Sequence, residues 1–286
     1  MLQLRGTGWF GKIPTAGDFV RQLTPDGPDA RTLDWFHDGW ARYALAGKPR
    51  DLIAPVGFCW QRPGGDRALV GVMTASRDRA GRRFPLAVFG AVGGVVRTAE
   101  LLAASHDLLA AAESVAETGR SGVDAQALRS HVESLRTRLD DDGPTRQSAW
   151  TATTSLSTWA GGEPGAAARR LRGLDYAFSG GGRPNFVLRG RWRGDLRHLT
   201  AGVQLLQRLG QQAPAMLFWS RGAEAVDWRL SFDHALPSQF ESLLWHEVDS
   251  PAVYDTDAVP VPAAFAGRTP PGDDTNLASF LETAGA

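Results

Sequence analysis

The sequence predicts an α/β fold in which a mixed sheet, containing an antiparallel meander, is covered by helices on both faces. The first observation is a succession of three short runs rich in Val, Phe and Trp in the first half of the chain. Such runs, separated by turn residues, are typical of antiparallel strands. The second observation is an alternation of strand and helix patterns in the second half, which is typical of a sheet with helices packed on it. With 43% hydrophobic residues, the 286-residue chain can build a sizeable core.

The first half opens with a glycine-rich segment, for which no regular structure is predicted, and continues with an amphipathic helix. Over residues 32–45 the apolar side chains recur at helical spacing with charged residues between them, and this pattern predicts the helix. The elements predicted after it are the three strands of the meander, at 56–61, 68–74 and 84–92, and two leucine-containing helices, at 98–117 and 124–139.

The second half is predicted to begin with an insertion or a mobile connection over residues 140–183, where no clear periodicity is present. The elements predicted after it are strands at 185–188, 215–219 and 226–232 and helices at 198–209 and 236–245. We therefore place one α/β domain over residues 1–246. Residues 247–286 hold seven acidic residues, one basic residue and five prolines, and we interpret them as an acidic, extended tail. A short amphipathic turn is predicted within the tail at Leu277, Phe280 and Leu281.

Charge and cysteine content exclude several classes of protein. The chain has 31 basic and 31 acidic residues, so no global field draws it to nucleic acid or to an acidic membrane surface. Its single cysteine, Cys59, cannot form an intramolecular disulfide, which fits a reducing compartment. The sequence shows neither a secretory signal pattern nor an apolar stretch long enough to span a bilayer. We therefore expect a cytoplasmic protein without membrane insertion and without nucleic acid as a partner.

Familiar catalytic and metal-binding motifs are absent from the sequence, including the Walker loop, G-x-S-x-G, H-E-x-x-H and the EF-hand loop. The six histidines are scattered, so no catalytic residue, metal site or cofactor is predicted. Three other segments have a weaker functional interpretation. Glycines 180–182 could cradle an anion, aspartates 140–142 could bind a cation, and the arginines of 189–193 could contact single-stranded nucleic acid. A flexible bend, a solvated helix end and surface charge are the simpler interpretations.

Two segments carry a denser pattern than core packing requires. In residues 8–21, glycines and paired aromatics surround Lys12 and Asp18. The glycines permit unusual backbone angles or a close approach, and Pro14 stiffens the centre, so the two charged side chains are presented from a loop of defined shape. In residues 76–86, a charged turn leads into an apolar strand. Turn chemistry combined with a surface ion pair is the alternative interpretation of both segments.

These two segments resemble the motifs of a known family. Residues 8–19 read G-x-x-G-K-x-P-x-x-G-D-F and residues 76–86 read S-x-D-x-x-G-R-x-F-P-L, and both are similar to the TagF family, also called ImpM or SciT, of type VI secretion accessory proteins. The resemblance is strongest over residues 8–92. It implies a three-layer α/β/α sandwich and a cytoplasmic, non-catalytic protein that represses secretion post-translationally. The implied partners are the FHA-domain scaffold of the threonine-phosphorylation branch and other secretion-system components.

We expect the two segments to form one protein-binding surface. The residues predicted to bind the partner are Lys12, Asp18, Phe19, Ser76, Asp78 and Arg82. The residues predicted to shape and support the surface are Gly11, Pro14, Gly17, Trp40, Gly81, Phe84 and Pro85. The alternative function is a hydrolase, or an enzyme that binds a phosphate-bearing ligand, in which Asp18, Asp78 and Arg82 line a pocket.

Three geometric expectations follow for this surface. Asp18 and Arg82 should lie close enough to form an ion pair between the two segments. Lys12 and Asp78 should be exposed on their turns, with the two flanking arginines keeping Asp78 ionised, so that their removal costs little stability. One apolar cluster should lie beneath the segments, formed by Phe10, Phe19, Trp35, Trp40, Phe84 and Leu86.

Overall fold

The described part of the chain folds around a nine-stranded sheet. The computed structural model describes residues 2–23, 30–45, 52, 54–61, 66–94, 97–137, 139, 142–160, 165–179, 187–233, 239–245, 253–257 and 275–283. The strands are β1 (Gln3–Gly11), β2 (Val20–Gln22), β3 (Val56–Gln61), β4 (Arg67–Thr74), β5 (Leu86–Gly93), β6 (Val187–Arg193), β7 (Met216–Arg221), β8 (Ala225–Ser231) and β9 (Val253–Asp255). Their order across the sheet is β2-β1-β5-β4-β3-β7-β8-β6-β9.

The strand directions confirm a mixed sheet that contains an antiparallel meander. β3, β4 and β5 follow one another in the chain, and each pairs antiparallel with the next. β1 pairs antiparallel with β5, and β7 joins β3 to β8 in the same manner. β6 pairs antiparallel with β8 but parallel with β9. The parallel pair at this edge is what makes the described sheet mixed.

Helices cover both faces of the sheet, which confirms the predicted sandwich. On one face lie α1 (Ala30–Leu45) and α9 (Phe240–Leu244). The opposite layer contains α2 (Thr98–Ala104), α3 (His106–Arg120), α4 (Ala125–Glu133) with a 3₁₀ turn after it (Ser134–Thr137), α5 (Gly143–Thr153), α6 (Leu156–Trp159), α7 (Ala166–Ser179), α8 (Leu196–Gly210) and α10 (Leu277–Thr283). None of the described helices has both the length and the apolar character that a bilayer crossing requires.

The two faces of the sheet have different cores because successive side chains of a strand point in opposite directions. On β5, Val88 and Val92 belong to the core beneath α3, whereas Ala87 and Phe89 belong to the core beneath α1. The core beneath α1 is dominated by aromatic rings. Its members include Phe10, Trp35, Phe36, Trp40, Phe58, Trp60, Phe84, Phe218, Phe240 and Trp245.

The apolar cluster expected beneath the two motifs forms, but without Leu86. The members found on the α1 face are Phe10, Trp35, Trp40 and Phe84, with Phe19 packed against them. Leu86 is buried on the opposite face, so its assignment to the cluster is wrong. It lies against α3, where a Cβ added at Gly119 would be 2.5 Å from its Cδ2 atom. The alternation of side chains along β5 is the physical reason for this difference.

The glycine-rich opening, for which no regular structure is predicted, forms the long strand β1. Glycine has a low strand propensity, and several glycines in one segment hide the strand pattern. The structure shows why glycine is present at one of these positions. A Cβ at Gly8 would lie 2.6 Å from Cζ of Phe89, so the missing side chain lets this ring pack directly on the backbone.

The single helix predicted over residues 98–117 is two helices. α2 ends at Ala104 and α3 begins at His106. Between them Ser105 has φ −92° and ψ 7°, which interrupts the regular backbone. A break of one residue leaves both helices packed on the same core, so the spacing of apolar side chains does not reveal it.

Residues 140–183 contain three helices where a connection without regular structure is predicted. α5, α6 and α7 lie within this segment, and the Trp159 ring packs 5.8 Å from the Trp192 ring of β6. α5 contains one large apolar residue, Trp150, and α6 is four residues long, so neither shows a helical period in the sequence. α7 carries Leu171, Leu174 and Phe178 at helical spacing, a pattern that does indicate a helix. That the segment is an insertion stays a prediction. Residues 140, 141 and 180–183, considered above for ion binding, lie outside the described residues.

Two parts of the acidic tail are described, and both pack against the domain. β9 pairs with β6, where the Asp255 carboxylate lies 2.9 Å from the Arg189 guanidinium. Asp257 lies 2.9 Å from the Arg170 guanidinium of α7. The predicted amphipathic turn is helix α10, with Leu277, Phe280 and Leu281 buried. The boundary at residue 246 stays a prediction, and the remainder of the tail lies outside the described residues.

Replacement of Trp40 should show how much the aromatic core contributes to stability. Its ring packs against Phe84 and Trp245, and its indole N–H donates to the Arg83 carbonyl at 3.1 Å. We expect Trp40→Ala to lower the free energy of unfolding by about 3–5 kcal/mol, because it leaves a large cavity. Trp40→Phe keeps most of the apolar contact and should lose less. Urea unfolding followed by circular dichroism measures the free energy of unfolding of both variants. If Trp40→Ala unfolds with the same free energy as the wild type, α1 packs elsewhere.

Candidate functional site

The two motifs form loops that meet at one end of the strands β1 and β5. The first loop, residues 12–19, connects β1 to β2, and the second loop, residues 75–85, connects β4 to β5. β1 and β5 are antiparallel neighbours, so the end of β1 lies beside the start of β5. The Arg79 N–H donates to the Ala16 carbonyl at 2.8 Å and joins the loops directly. Two segments that are distant in the chain therefore share one surface.

Glycines determine the path of both loops. Gly11 has φ +137°, and a Cβ there would lie 2.2 Å from the carbonyl oxygen of Pro85, so only glycine fits where β1 enters the first loop. Gly81 has φ +83° at the tip of the second loop. A Cβ at Gly17 would lie 3.3 Å from Nη2 of Arg79, the end of a flexible side chain that can shift, so space alone does not require glycine there.

The buried carboxylate of Asp78 connects the two loops. Its Oδ2 accepts a hydrogen bond from Nζ of Lys12 in the first loop at 2.9 Å and another from Nε of Arg82 at 2.7 Å. Its Oδ1 accepts the backbone N–H groups of Ala80 at 3.0 Å and of Arg82 at 2.9 Å. The Asp78 side chain has no exposed surface. Hydrogen bonds that involve charged groups are the strong ones, so this arrangement fixes the position of the loops relative to each other.

These donors keep Asp78 ionised. The hydrogen bond from the Lys12 ammonium holds the pKa of the Asp78 carboxyl well below its usual range, and the donors of Arg82 act in the same direction. Burial opposes them, because desolvation disfavours the charged form, but the hydrogen bonds outweigh it. Asp78 is therefore a permanent negative charge inside the site near neutral pH.

The prediction that Lys12 and Asp78 are exposed is wrong. Asp78 is fully buried, and the Lys12 side chain is only 13% exposed. Lys12 and Arg82 contact the carboxylate, whereas the flanking Arg77 and Arg79 are exposed. Along an extended segment neighbouring side chains point in opposite directions, so an inward Asp78 leaves the arginines on either side of it facing solvent. Asp78 thus shapes the surface without being accessible on it.

The predicted ion pair between Asp18 and Arg82 is confirmed. Oδ1 of Asp18 lies 3.6 Å from Nη2 of Arg82, and both side chains are more than half exposed. The same Nη2 donates to the Gly17 carbonyl at 2.6 Å. An exposed pair of this kind contributes about 0–1 kcal/mol, so its effect is on the position of the first loop more than on stability.

Phe19 supplies a partly exposed aromatic ring to the surface. The ring centroid of Phe19 lies 5.1 Å from that of Phe84 and 4.5 Å from that of His37. Partial burial lowers the pKa of His37 below its ordinary value, although Asp34 and Asp38 act against this shift. The His37 ring is therefore mainly neutral at pH 7 and packs as an aromatic group.

Ser76 and Pro14 contribute to the shape of the loops. Ser76 is buried, and its hydroxyl has no hydrogen-bond partner among the residues that the structure describes. Its carbonyl accepts the N–H of Phe84 across the second loop at 3.1 Å. Pro14 is half-buried, and the hydroxyl of the next residue, Thr15, donates to the Val123 carbonyl between α3 and α4 at 2.8 Å. The first loop is thereby attached to the helical layer.

The accessible surface is smaller and more basic than predicted. Of the residues predicted to bind a partner, Asp18 and Arg82 are exposed and Phe19 is partly exposed. Arg77 and Arg79 are also exposed, and no carboxylate in the described residues lies within ion-pair distance of either. Neither arginine is among the residues predicted for the surface, although arginines on both sides of Asp78 are a visible signal of an inward aspartate between outward cations.

The arrangement does not present the groups that the enzyme alternative requires. The Asp78 carboxylate is occupied by four donors and shielded from solvent, and Asp18 stands on the exposed surface. A cavity that the structure does contain includes no residue of either loop. It is lined by Pro55, Gly57, Val72, Leu109, Glu113, Trp219 and Arg221. The described ranges hold no group of three or more His, Cys, Asp and Glu side chains placed to bind a metal ion.

Both loops fall within a recognised protein domain. Residues 8–135 match the TagF N-terminal domain, type VI secretion system-associated, which confirms the resemblance for this part of the chain and indicates a type VI secretion-associated protein. The crystal structure of PA0076 from Pseudomonas aeruginosa PAO1 at 2.05 Å resolution has a similar fold. Its TM-score is 0.52 and its sequence identity 19%, with 90% of this chain and 98% of that chain covered. No curated protein matches this chain.

Replacement of Asp78 should destabilise the fold, whereas replacement of the exposed Asp18 should not. Asp78→Asn removes the charge and leaves the mostly buried Lys12 ammonium without its anion, and the exposed Arg82 loses an ion pair. We expect the melting temperature of Asp78→Asn to fall by at least about 5 °C. That of Asp18→Asn should change by less than about 2 °C, because it loses an exposed ion pair only. Thermal unfolding by circular dichroism measures both variants. If Asp78→Asn and Asp18→Asn had the same melting temperature, the structural role of Asp78 would be contradicted.

The same carboxylate should make stability depend on pH. The pKa of Asp78 is lower in the folded chain than in the unfolded chain, where a carboxyl titrates near about pH 4. Its contribution is therefore fully present above about pH 4 and is lost as the pH falls below that value. We expect the stability difference between the wild type and Asp78→Asn to be constant from about pH 7 to 5 and to narrow below about pH 4. Urea unfolding of both proteins at each pH tests this expectation. If the stability difference at about pH 3 equals that at about pH 7, Asp78 does not have a lowered pKa in the folded chain.

Proposed function

We propose that this chain, whose residues 8–135 match the TagF N-terminal domain, represses type VI secretion post-translationally by binding the FHA-domain scaffold protein of the secretion system. The observation that carries the proposal is that both loops lie within the matched residues and share one exposed surface. The repressor role and the identity of the partner come from the family resemblance. We place this action in the cytoplasm, as the family resemblance implies and in line with the single cysteine.

The geometry of the loops favours a binding role. Hydrogen bonds to Asp78 hold Lys12 and Arg82 in place before any partner arrives. A surface that is already ordered loses less conformational entropy on binding, so more of its contact energy appears as affinity. Phe19 offers apolar contact beside the charged Asp18 and Arg82, and interfaces combine aromatic contact with a polar rim in this way. Binding uses the exposed side chains and requires no reacting group.

Phe19→Ala should weaken binding to the FHA-domain scaffold by about tenfold or more, because aromatic side chains often dominate binding energy. The matched control is Phe178→Ala, which truncates an equally half-buried phenylalanine on α7, in the opposite layer of the sandwich. Isothermal titration calorimetry with the purified scaffold protein measures binding. Secretion of a type VI substrate by a strain that overproduces each variant measures repression.

Each result of this experiment separates the possibilities. The proposal expects the wild type and Phe178→Ala to bind the scaffold and to repress secretion, while a folded Phe19→Ala does neither. Failure of the wild-type chain to bind the scaffold would exclude this partner. Wild-type affinity of Phe19→Ala would place the binding site elsewhere on the chain.

A further inference from the structure

The second loop exposes a cluster of arginines around its buried aspartate. The arginine surface consists of Arg77, Arg79, Arg82 and Arg83, all exposed. Together the two loops hold five basic and two acidic residues, a net charge of +3 in a chain whose formal net charge is 0. Positive charge is therefore concentrated here and is compensated elsewhere in the molecule.

Two arginines of this surface face each other directly. Arg77 and Arg83 form an antiparallel bridge, and residues directly opposite in such a bridge carry their side chains on the same face. Like charges in this arrangement destabilise the pair. Features that break a local rule are expected mainly at functional sites, where another gain outweighs the cost. Positive charge concentrated in this way favours binding of an anion beside Arg77.

Over residues 78–82 of the second loop, every backbone N–H group already donates a hydrogen bond within the protein, so none is free to bind a ligand. The five N–H groups of this stretch all donate within the protein, once to the Arg82 carbonyl, once to the Ala16 carbonyl and three times to Asp78. Loops that cradle a phosphate do so with converging free N–H groups. Recognition of an anion here depends instead on the guanidinium side chains.

The guanidinium groups of Arg79 and Arg82 both lie against the first loop at Gly17. Nη2 of Arg82 donates to the Gly17 carbonyl, and Nη2 of Arg79 lies 3.3 Å from where a Gly17 Cβ would be. Arg82 is further fixed through its Nε bond to Asp78. A guanidinium group presents a planar fork of donors that matches a carboxylate with two parallel hydrogen bonds.

We infer that the arginine surface binds an acidic segment, rich in aspartate and glutamate, of the partner protein. The inference rests on the proposed function, because it describes the part of the scaffold that this site would contact. Carboxylates match the guanidinium groups in shape and charge, and they need no backbone donors. A nucleic acid fits less well, since the Asp18 side chain is 84% exposed beside the arginines and Phe19 is the sole aromatic ring that the described loops expose for stacking.

The test reverses charge at the two arginines that lie outside the hydrogen bonds of Asp78. Arg77→Glu combined with Arg79→Glu is compared with Arg208→Glu, which changes an exposed arginine on α8 in the opposite layer. The probes are a short fluorescent glutamate-rich peptide and the same peptide with glutamine at every glutamate. A second double variant, Arg77→Gln combined with Arg79→Gln, removes the charge without adding repulsion, in case the first double variant does not fold.

Fluorescence anisotropy should show that the wild type and Arg208→Glu bind the glutamate peptide and not the glutamine peptide. Both double variants of Arg77 and Arg79 should bind the glutamate peptide about tenfold or more weakly than the wild type does. Raising NaCl from about 50 mM to about 300 mM should weaken the wild-type complex, because exposed charges are screened. Undiminished binding by the folded double variants would overturn the inference. Failure of the wild type to bind the glutamate peptide, or tighter binding of a phosphorylated peptide or single-stranded DNA, would also overturn it.

The scaffold protein, used as a second probe, separates the inference from the proposed function. If the wild type binds the glutamate peptide through Arg77 and Arg79 but does not bind the scaffold, the proposed partner is wrong and the inference about the surface holds. If the wild type and the folded double variants bind the scaffold equally well, the inference is wrong and the proposed function holds. Loss of scaffold binding in the double variants, with Arg208→Glu unaffected, supports both.

Discussion

A buried carboxylate requires charged donors around it, and in this chain that requirement joins two loops that are distant in sequence. Asp78 is shielded from solvent and accepts hydrogen bonds from Lys12 of the first loop and from Arg82 of its own loop. Leaving a buried charge without partners is costly, so separation of the loops is opposed by the loss of the Lys12 hydrogen bond. The arginines beside Asp78 face solvent because Asp78 itself points inward.

The sheet supplies the conditions for that contact. β1 and β5 are neighbours, so the loops that follow one and precede the other start at the same edge. Beneath them the aromatic core of α1 reaches the second loop, because the Trp40 indole donates to the Arg83 carbonyl and packs on Phe84. The loops are therefore supported from the core as well as from each other. Their exposed side chains extend from a base that is already ordered.

The charged side chains of this site fall into two groups, one pointing inward and one pointing outward. Lys12 and Asp78 are turned inward and determine shape, whereas Arg77 and Arg79 are turned outward and are available to another molecule. The residues that match the TagF N-terminal domain thus present an outward, charged surface at the two loops. The arginines of β6 have a different use, since Arg189 is paired with a carboxylate of β9 and helps to attach the described part of the tail.

The α/β class, the meander, helix α1 and the two motifs can be predicted from the sequence, because they depend on periodicity and residue types within short segments. β1 escaped prediction because its glycines lower strand propensity, and the reason for Gly8 is the ring of Phe89, which comes from another strand. Helix α5 has one large apolar side chain and α6 has four residues, so neither shows a period, whereas α7 does. The burial of Asp78 and its pairing with Lys12 are visible only in the folded chain. Burial and partner choice depend on which strands become neighbours, and local sequence does not contain that information.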